Sequence, residues 1–155
     1  VDDKEYILKG ITDKLRRKYD YIILDCPPSL NMLTINALTA ATSVLVPIQC
    51  EYYALEGLSQ LIHTIDLVKD RLNKKLAMEG VVFTMYDART NLSLQVVENV
   101  KDNLQQNIYK TIIPRNVRLA EAPSYGQPIN IYDSRSAGAE AYRLLAEEVI
   151  NREDK

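Results

Sequence analysis

The chain has 155 residues, 46% hydrophobic and 26% charged, with a formal net charge of -2. That is enough apolar material for one core, so a single domain spanning 1–155 is the expectation, and the mildly acidic balance excludes a globally basic nucleic-acid binder: any DNA contact has to be a local patch. Cys26 and Cys50 are too few for a disulfide framework, no apolar run is long enough for a membrane span, and Val1-Asp2-Asp3-Lys4-Glu5 is unlike a secretory leader, so a reduced, cytoplasmic protein with no membrane attachment is expected.

Ile7, Leu8, Ile11 and Leu15 fall at helical spacing and predict a helix over 5–18 with one buried face. Tyr21-Ile22-Ile23-Leu24 is a continuous apolar run closing on Asp25, the pattern of a parallel strand buried on both faces. Cys26-Pro27-Pro28-Ser29 stops it, because proline denies a ladder its donors. Met32, Ile35, Ala37, Leu38 and Ala41 predict a helix over 31–41, and Ser43-Val44-Leu45-Val46-Pro47-Ile48 a second strand.

Over 54–72 the positions Leu58, Leu61, Ile62, Ile65, Val68 and Leu72 repeat at three and four, the most regular amphipathic pattern in the chain. Gly80-Val81-Val82-Phe83-Thr84-Met85 reads as a third strand, Leu94, Val97, Val100 and Leu104 as a further helix, and 108–113 as a fourth strand ending at Pro114. A last helix over 137–150 has Ser136 as its N-cap and Ala141, Leu144, Leu145 and Val149 on its buried face. Helices alternating with short apolar strands predict an α/β fold, a mainly parallel sheet with helices on both faces.

In such sheets ligands bind beyond the carboxyl ends of the strands, which directs attention to the residues after each apolar run. Asp25 is the first of these. By itself it reads either as a strand terminus or helix cap, or as the acid that holds magnesium in P-loop NTPases. Arg89 and Arg118 follow strand ends in loops, where guanidinium groups suit bidentate phosphate contact; the competing reading pairs Arg89 with Asp87 and Arg118 with Glu121 as solvated ion pairs. His63 stands mid-helix without a second ligand at metal spacing and reads as structural, Ser29 lacks an adjacent base, and Tyr52 and Tyr53 suit packing as well as a cleft.

Tyr21-Ile22-Ile23-Leu24-Asp25-Cys26-Pro27-Pro28-Ser29-Leu30 resembles the switch II segment of the ParA/Soj partition ATPases and the related MinD group. The stretches Asn36-Ala37-Leu38-Thr39-Ala40-Ala41, Pro47-Ile48-Gln49-Cys50-Glu51-Tyr52-Tyr53, Thr84-Met85-Tyr86-Asp87-Ala88-Arg89-Thr90-Asn91 and Ile112-Ile113-Pro114-Arg115-Asn116-Val117-Arg118 are similar to chromosomal Soj, in register over 19–150.

The resemblance implies a P-loop fold of the deviant Walker A group and a chromosome- or plasmid-partitioning ATPase. Two subunits would sandwich ATP and magnesium as a homodimer that binds DNA non-specifically at the nucleoid, with a ParB-type partner stimulating hydrolysis. Carried over residue by residue, it makes Asp25 the Walker B acid, catalytic and facing magnesium through water. Pro27 and Pro28 become stiffeners of the γ-phosphate-sensing switch, Pro114 and Asn116 the adenine-contacting loop, and Arg89 and Arg118 the DNA contacts. A MinD-like membrane role would need an amphipathic C-terminal anchor, and Asn151-Arg152-Glu153-Asp154-Lys155 is too short and polar for one.

One departure qualifies the match. The glycines Gly10, Gly57, Gly80, Gly126 and Gly138 are scattered, and no G-x-x-x-x-G-K-[ST] loop occurs to cradle phosphates. The expectation is a C-terminal portion of a longer ATPase, lacking a central strand and its phosphate loop, unable to hydrolyse ATP alone and exposing an apolar edge. The alternative is a non-catalytic binding or regulatory module of a full-length partition protein.

Overall fold

A computed structural model describes residues 3–27, 29–104 and 106–153. Pro28, Asp154 and Lys155, which figure in the sequence reading, lie outside the described residues. The chain forms two compact units, one from the residues up to Val44 with Leu58–Glu79, the other from Leu45–Gly57 with the residues from Gly80 onward.

In the first unit a 3-10 turn (Lys4–Tyr6) leads into α1 (Ile7–Leu15), which packs on α2 (Met32–Ala40). Asn31 starts α2: its backbone is extended and its Oδ1 accepts from the N–H groups of Leu33 and Thr34 at 3.0 and 3.1 Å, two of the donors that a helix start leaves without partners. Buried Asn36 joins the helices. Its Oδ1 accepts from Leu8 N at 3.1 Å, while its Nδ2 donates to the carbonyls of Lys4 and Met32 at 2.9 and 3.0 Å. The far end of α2 is closed by Arg16 Nη2 on the Ala40 carbonyl at 3.2 Å and by Asn73 Nδ2 on the carbonyls of Leu38 and Ala41 at 3.0 and 2.8 Å.

Two expectations fail in this unit. Tyr21-Ile22-Ile23-Leu24 forms no strand, and Ile23 is 88% exposed. Among the described residues no strand lies alongside the segment to complete a ladder, and Tyr21, Ile22 and Ile23 are exposed while Leu24 is half-buried. The apolar face expected on the first helix is only half used. Thr12 is buried and Leu8 and Leu15 half-buried against the unit, whereas Ile7 and Ile11 are 58% and 53% exposed.

β1 (Ser43–Gln49) and β2 (Ala77–Thr84) are hydrogen-bonded neighbours. Ala77 N donates to Thr42 O at 3.1 Å near one end and Cys50 N to Thr84 O at 3.0 Å near the other; both strands advance together, so the pair is parallel. Between them in sequence, α3 (Ala54–Arg71) buries Leu58, Ile65 and Val68, as its three-four repeat predicts.

In the second unit Gly80, Val81, Val82 and Phe83 of β2 are buried, and the segment 107–115 runs parallel beside them. The expected fourth strand is present as two parallel bridges, Val81 with Ile108 and Tyr86 with Pro114, rather than a continuous ladder. Between the two bridges the Glu148 carboxylate takes the N–H groups of Lys110 and Thr111 at 2.8 and 2.9 Å, so a side chain satisfies these amides where the ladder is interrupted. A Cβ on Gly80 would lie 2.8 Å from Tyr109 Cε2 and 3.1 Å from Asn107 O, so the close approach of the two segments requires glycine there.

Thr90 Oγ1 accepts from Ser93 N at 3.3 Å to start α4 (Asn91–Asn103), which buries Ser93, Val96, Val97 and Val100. Then come α5 (Val117–Glu121), a 3-10 turn (Ala122–Tyr125), α6 (Ile129–Tyr132) and α7 (Ala137–Glu153). Ser136 caps α7 through Ala139 N at 3.1 Å, as expected. Val82, Tyr109, Ile113 and Ala141 form a core cluster, with Leu119, Leu145 and Val149 packed against it. Leu144, expected on the buried face of α7, is 48% exposed, because the stripe that packs runs through Ala141 and Leu145; Leu94 of α4 is likewise 48% exposed, beside buried Ser93. No described helix is long and apolar enough to cross a membrane.

Candidate functional site

β2 ends at Thr84 and the chain turns at once. Met85 has φ 55°, a left-handed conformation that a side-chain-bearing residue adopts at a cost. That turn lets Tyr86 exchange hydrogen bonds with the neighbouring segment: Tyr86 N donates to Ile113 O at 3.1 Å, and Arg115 N to Tyr86 O at 2.8 Å. The loop 86–90 and the segment 114–118 leave the sheet together and line an open cleft of ≈ 450 Å³; Arg118, expected in a loop, stands instead in the first turn of α5, because Asn116 caps that helix directly after the bridge at Pro114. The cleft lies beyond the carboxyl ends of parallel segments, where α/β folds bind ligands.

Of the residues named from sequence, Arg89, Pro114, Asn116 and Arg118 all line this cleft. Sequence reasoning passed over Arg115, which sits between Pro114 and Asn116 and lines it as well. Its position inside a quoted loop was the available signal. Asp25 and Pro27 belong to the first unit, where both are exposed; no hydrogen bond or ion pair engages the Asp25 side chain among the described residues. The acid therefore stands in an exposed segment, not at the tip of a buried strand.

Arg89 takes Asp87 bidentately. Its Nε donates to Oδ1 at 2.9 Å and its Nη2 to Oδ2 at 2.8 Å, while its backbone N–H adds a third bond to Oδ1 at 3.0 Å. These bonds hold the Asp87 carboxyl down to about 2. The guanidinium nonetheless projects outward, its side chain 85% exposed against 16% for Asp87.

Arg118 Nη1 donates to Glu121 Oε2 at 3.1 Å, and its Nε lies 3.4 Å from Asp133 Oδ2, with the side chain 54% exposed. Glu121 also accepts from the Tyr132 hydroxyl at 2.9 Å, a bond that raises the Tyr132 pKa, and Tyr132 stacks on Tyr125 with ring centroids 5.1 Å apart. Both ion pairs weighed as competing readings are thus formed. Asn116 Oδ1 caps α5 through Leu119 N at 3.3 Å, which leaves the Nδ2 end of the amide for the cleft.

A family model described as an AAA domain matches residues 1–78. The chain is 61% identical over 146 residues to the sporulation initiation inhibitor protein Soj of Bacillus subtilis, covering 94% of this chain and 58% of that protein. It is 55% identical over 152 residues to the chromosome partitioning protein ParA of Myxococcus xanthus, covering 98% and 54%. The chain spans about half the length of the curated relatives it matches. Among solved structures, cobyrinic acid a,c-diamide synthase from Mycobacterium smegmatis, with bound ADP and magnesium, superposes with TM-score 0.83 at 35% identity over 100% of this chain and 56% of that one. The cell division ATPase MinD of Pyrococcus furiosus superposes with TM-score 0.77 at 23% identity over 95% and 58%, a likeness of fold.

Proposed function

The chain belongs to the AAA-domain family, among the Soj/ParA chromosome-partitioning ATPases, and from this premise we propose that it carries the DNA-contacting and base-contacting loops of an ATP-driven partition protein. One observation carries the reading: Arg89, Arg115 and Arg118 surround the same cleft as Pro114 and Asn116. Three guanidinium groups border this cleft on a chain of net charge -2, Arg89 and Arg118 held by carboxylates and Arg115 exposed, and arginine engages phosphate oxygens through its planar fork. Such contacts read the backbone of DNA and not its bases, so binding is sequence-independent and weakens with salt.

The cofactors are ATP and magnesium; solved relatives hold ADP or an ATP analogue with magnesium. The residues present fit part of that ligand. Asn116 Nδ2 is a donor suited to an acceptor on a base edge, in the cleft that Pro114 also lines. Asp25 is an exposed carboxylate, and magnesium characteristically takes one or two carboxylates and leaves its other positions to phosphate oxygens and water. When bound, the ion neutralises phosphate charge. No glycine-rich lysine loop occurs in the 155 residues, so this chain by itself does not hydrolyse ATP.

In the whole protein the activity is ATP hydrolysis coupled to homodimer formation, non-specific DNA binding and a response to a ParB-type partner, in the cytoplasm at the nucleoid. The absence of the phosphate loop from the sequence also supports a second reading, a non-catalytic binding or regulatory module that uses the same cleft. Anisotropy of a labelled random-sequence duplex tests the shared element: Arg89→Ala with Arg118→Ala weakens binding, and unchanged binding removes the cleft from DNA contact. Joined to a segment bearing the phosphate loop, these residues support magnesium-dependent turnover that Asp25→Ala lowers; turnover without loss would remove Asp25 from the metal side.

A further inference from the structure

We propose that Asp87, together with Glu121 and Asp133, competes with the DNA backbone for Arg89 and Arg118, so that the cleft binds DNA by exchanging internal carboxylates for external phosphates. This rests on the DNA reading of the cleft. An arginine fork presents two parallel N–H groups, and the same pair that fits a carboxylate fits a phosphate, so one guanidinium cannot satisfy both through that edge. Arg89 spends the relevant edge on Asp87, with Nε and Nη2 at 2.9 and 2.8 Å. Arg118 spends its donors on Glu121 Oε2 at 3.1 Å and lies 3.4 Å from Asp133 Oδ2.

The two sides of each pair are anchored unequally. Asp87 sits in a turn fixed by Ser93 Oγ, which accepts from Asp87 N at 3.1 Å, and by Thr90 Oγ1, which donates to Asp87 O at 3.0 Å. Arg89 is the outer partner, its side chain 85% exposed against 16% for Asp87, so turning it toward a phosphate breaks only its bonds to Asp87 and uncovers no buried surface of its own. Glu121 also accepts from the Tyr132 hydroxyl at 2.9 Å and Asp133 Oδ1 from Arg135 N at 3.3 Å, so each carboxylate has a second partner that does not depend on Arg118. Arg115, exposed and without an ion-pair partner among the described residues, offers the unoccupied first contact. One cation is available and two are held in reserve, which keeps the resting affinity low and makes it steep in the number of phosphates engaged.

The test is anisotropy of a labelled random-sequence duplex with the 155-residue chain at low and high salt. Asp87→Asn and Glu121→Gln remove the competing charge and keep the side-chain shape, and each tightens binding about two- to five-fold, the range expected from freeing an exposed pair. The gain shrinks at high salt, because it is Coulombic. Glu98→Gln, an equal charge change on an exposed residue of α4 outside the cleft, does not reproduce it.

Weaker binding by Asp87→Asn would show that Asp87 positions Arg89, and the proposal falls. Equal tightening by Glu98→Gln would reduce the effect to net charge and overturn it as well. If the parent binds DNA yet Arg89→Ala with Arg118→Ala binds equally well, the DNA reading itself fails, a result distinct from either. Circular dichroism of each variant confirms the fold, and the two acids lie on separate loops, so the loss of one variant to misfolding leaves the other decisive.

Discussion

Arg89 and Asp87 form a fork-to-fork pair two residues apart, with a third bond from the arginine's own backbone N–H. The carboxyl is held at about 2, below its ordinary 3.8, by those bonds first and by the charges of Arg89 and Arg115 after them. A depressed carboxylate stabilises the fold above its unfolded value and loses that contribution as pH falls through the folded one, so the pair acts from about pH 4 upward and is spent near pH 2. Carbon-detected titration of the Asp87 carboxyl should give a midpoint near 2 that climbs toward 3.8 in Arg89→Ala. A midpoint that stays put would show that Arg89 is not what holds it.

Glu148 closes the gap in the fourth segment. Its carboxylate accepts from Lys110 N, Thr111 N and Arg152 Nη2 at 2.8, 2.9 and 3.0 Å, and Arg152 lies over the Tyr109 ring at 3.8 Å. Glu148→Ala leaves two backbone donors without their acceptor and should cost about 1–3 kcal/mol in urea unfolding. Burial raises the Glu148 pKa, but the two backbone N–H groups and Arg152 lower it by more. The pH contribution is therefore present above the ordinary 4.5 and lost below it, as pH falls through the depressed value. A variant with parental stability at neutral pH refutes this role.

Gly138 opens α7 directly beneath Leu119 of α5. A Cβ there would meet Leu119 Cδ1 and Cδ2 at 2.8 Å and Cγ closer still, so Gly138→Ala must displace Leu119. The overpacking should cost about 1–3 kcal/mol. Because Asn116 caps α5 and Arg118 lies within it, the same change should also weaken DNA binding. Unaltered thermal stability and unaltered binding would mean that α5 shifts freely.

Asn36 tests the first unit. It serves Leu8 N, Lys4 O and Met32 O from a buried position, so Asn36→Leu, although similar in size and more apolar, leaves three polar groups to find new partners. The expected loss is about 1–3 kcal/mol by denaturant unfolding, with α1 melting first by hydrogen exchange. Equal protection of α1 in the variant would show that the amide is dispensable.

Pattern and chemistry in the chain determined much of this protein. The three-four repeat of Leu58, Ile65 and Val68, the apolar run into Phe83, and the cap at Ser136 are local signals, and each forms the element its periodicity or side-chain chemistry demands. That Arg89, Pro114, Asn116 and Arg118 gather beyond strand ends was legible because they follow apolar runs and match a known pattern, although Arg118 sits on α5 and not in a loop. What tertiary structure decided were features that depend on a partner elsewhere. Tyr21-Ile22-Ile23-Leu24 has a strand's composition but no ladder, since a strand's hydrogen bonds belong to its neighbour. Where the fourth strand is interrupted, two of its amides are taken by Glu148, 37 and 38 residues away, a partner that no local pattern announces. The two arginine loops, far apart in the chain, become one cleft because a left-handed turn at Met85 brings Tyr86 against Ile113 and Arg115, a long-range closure that no local pattern encodes.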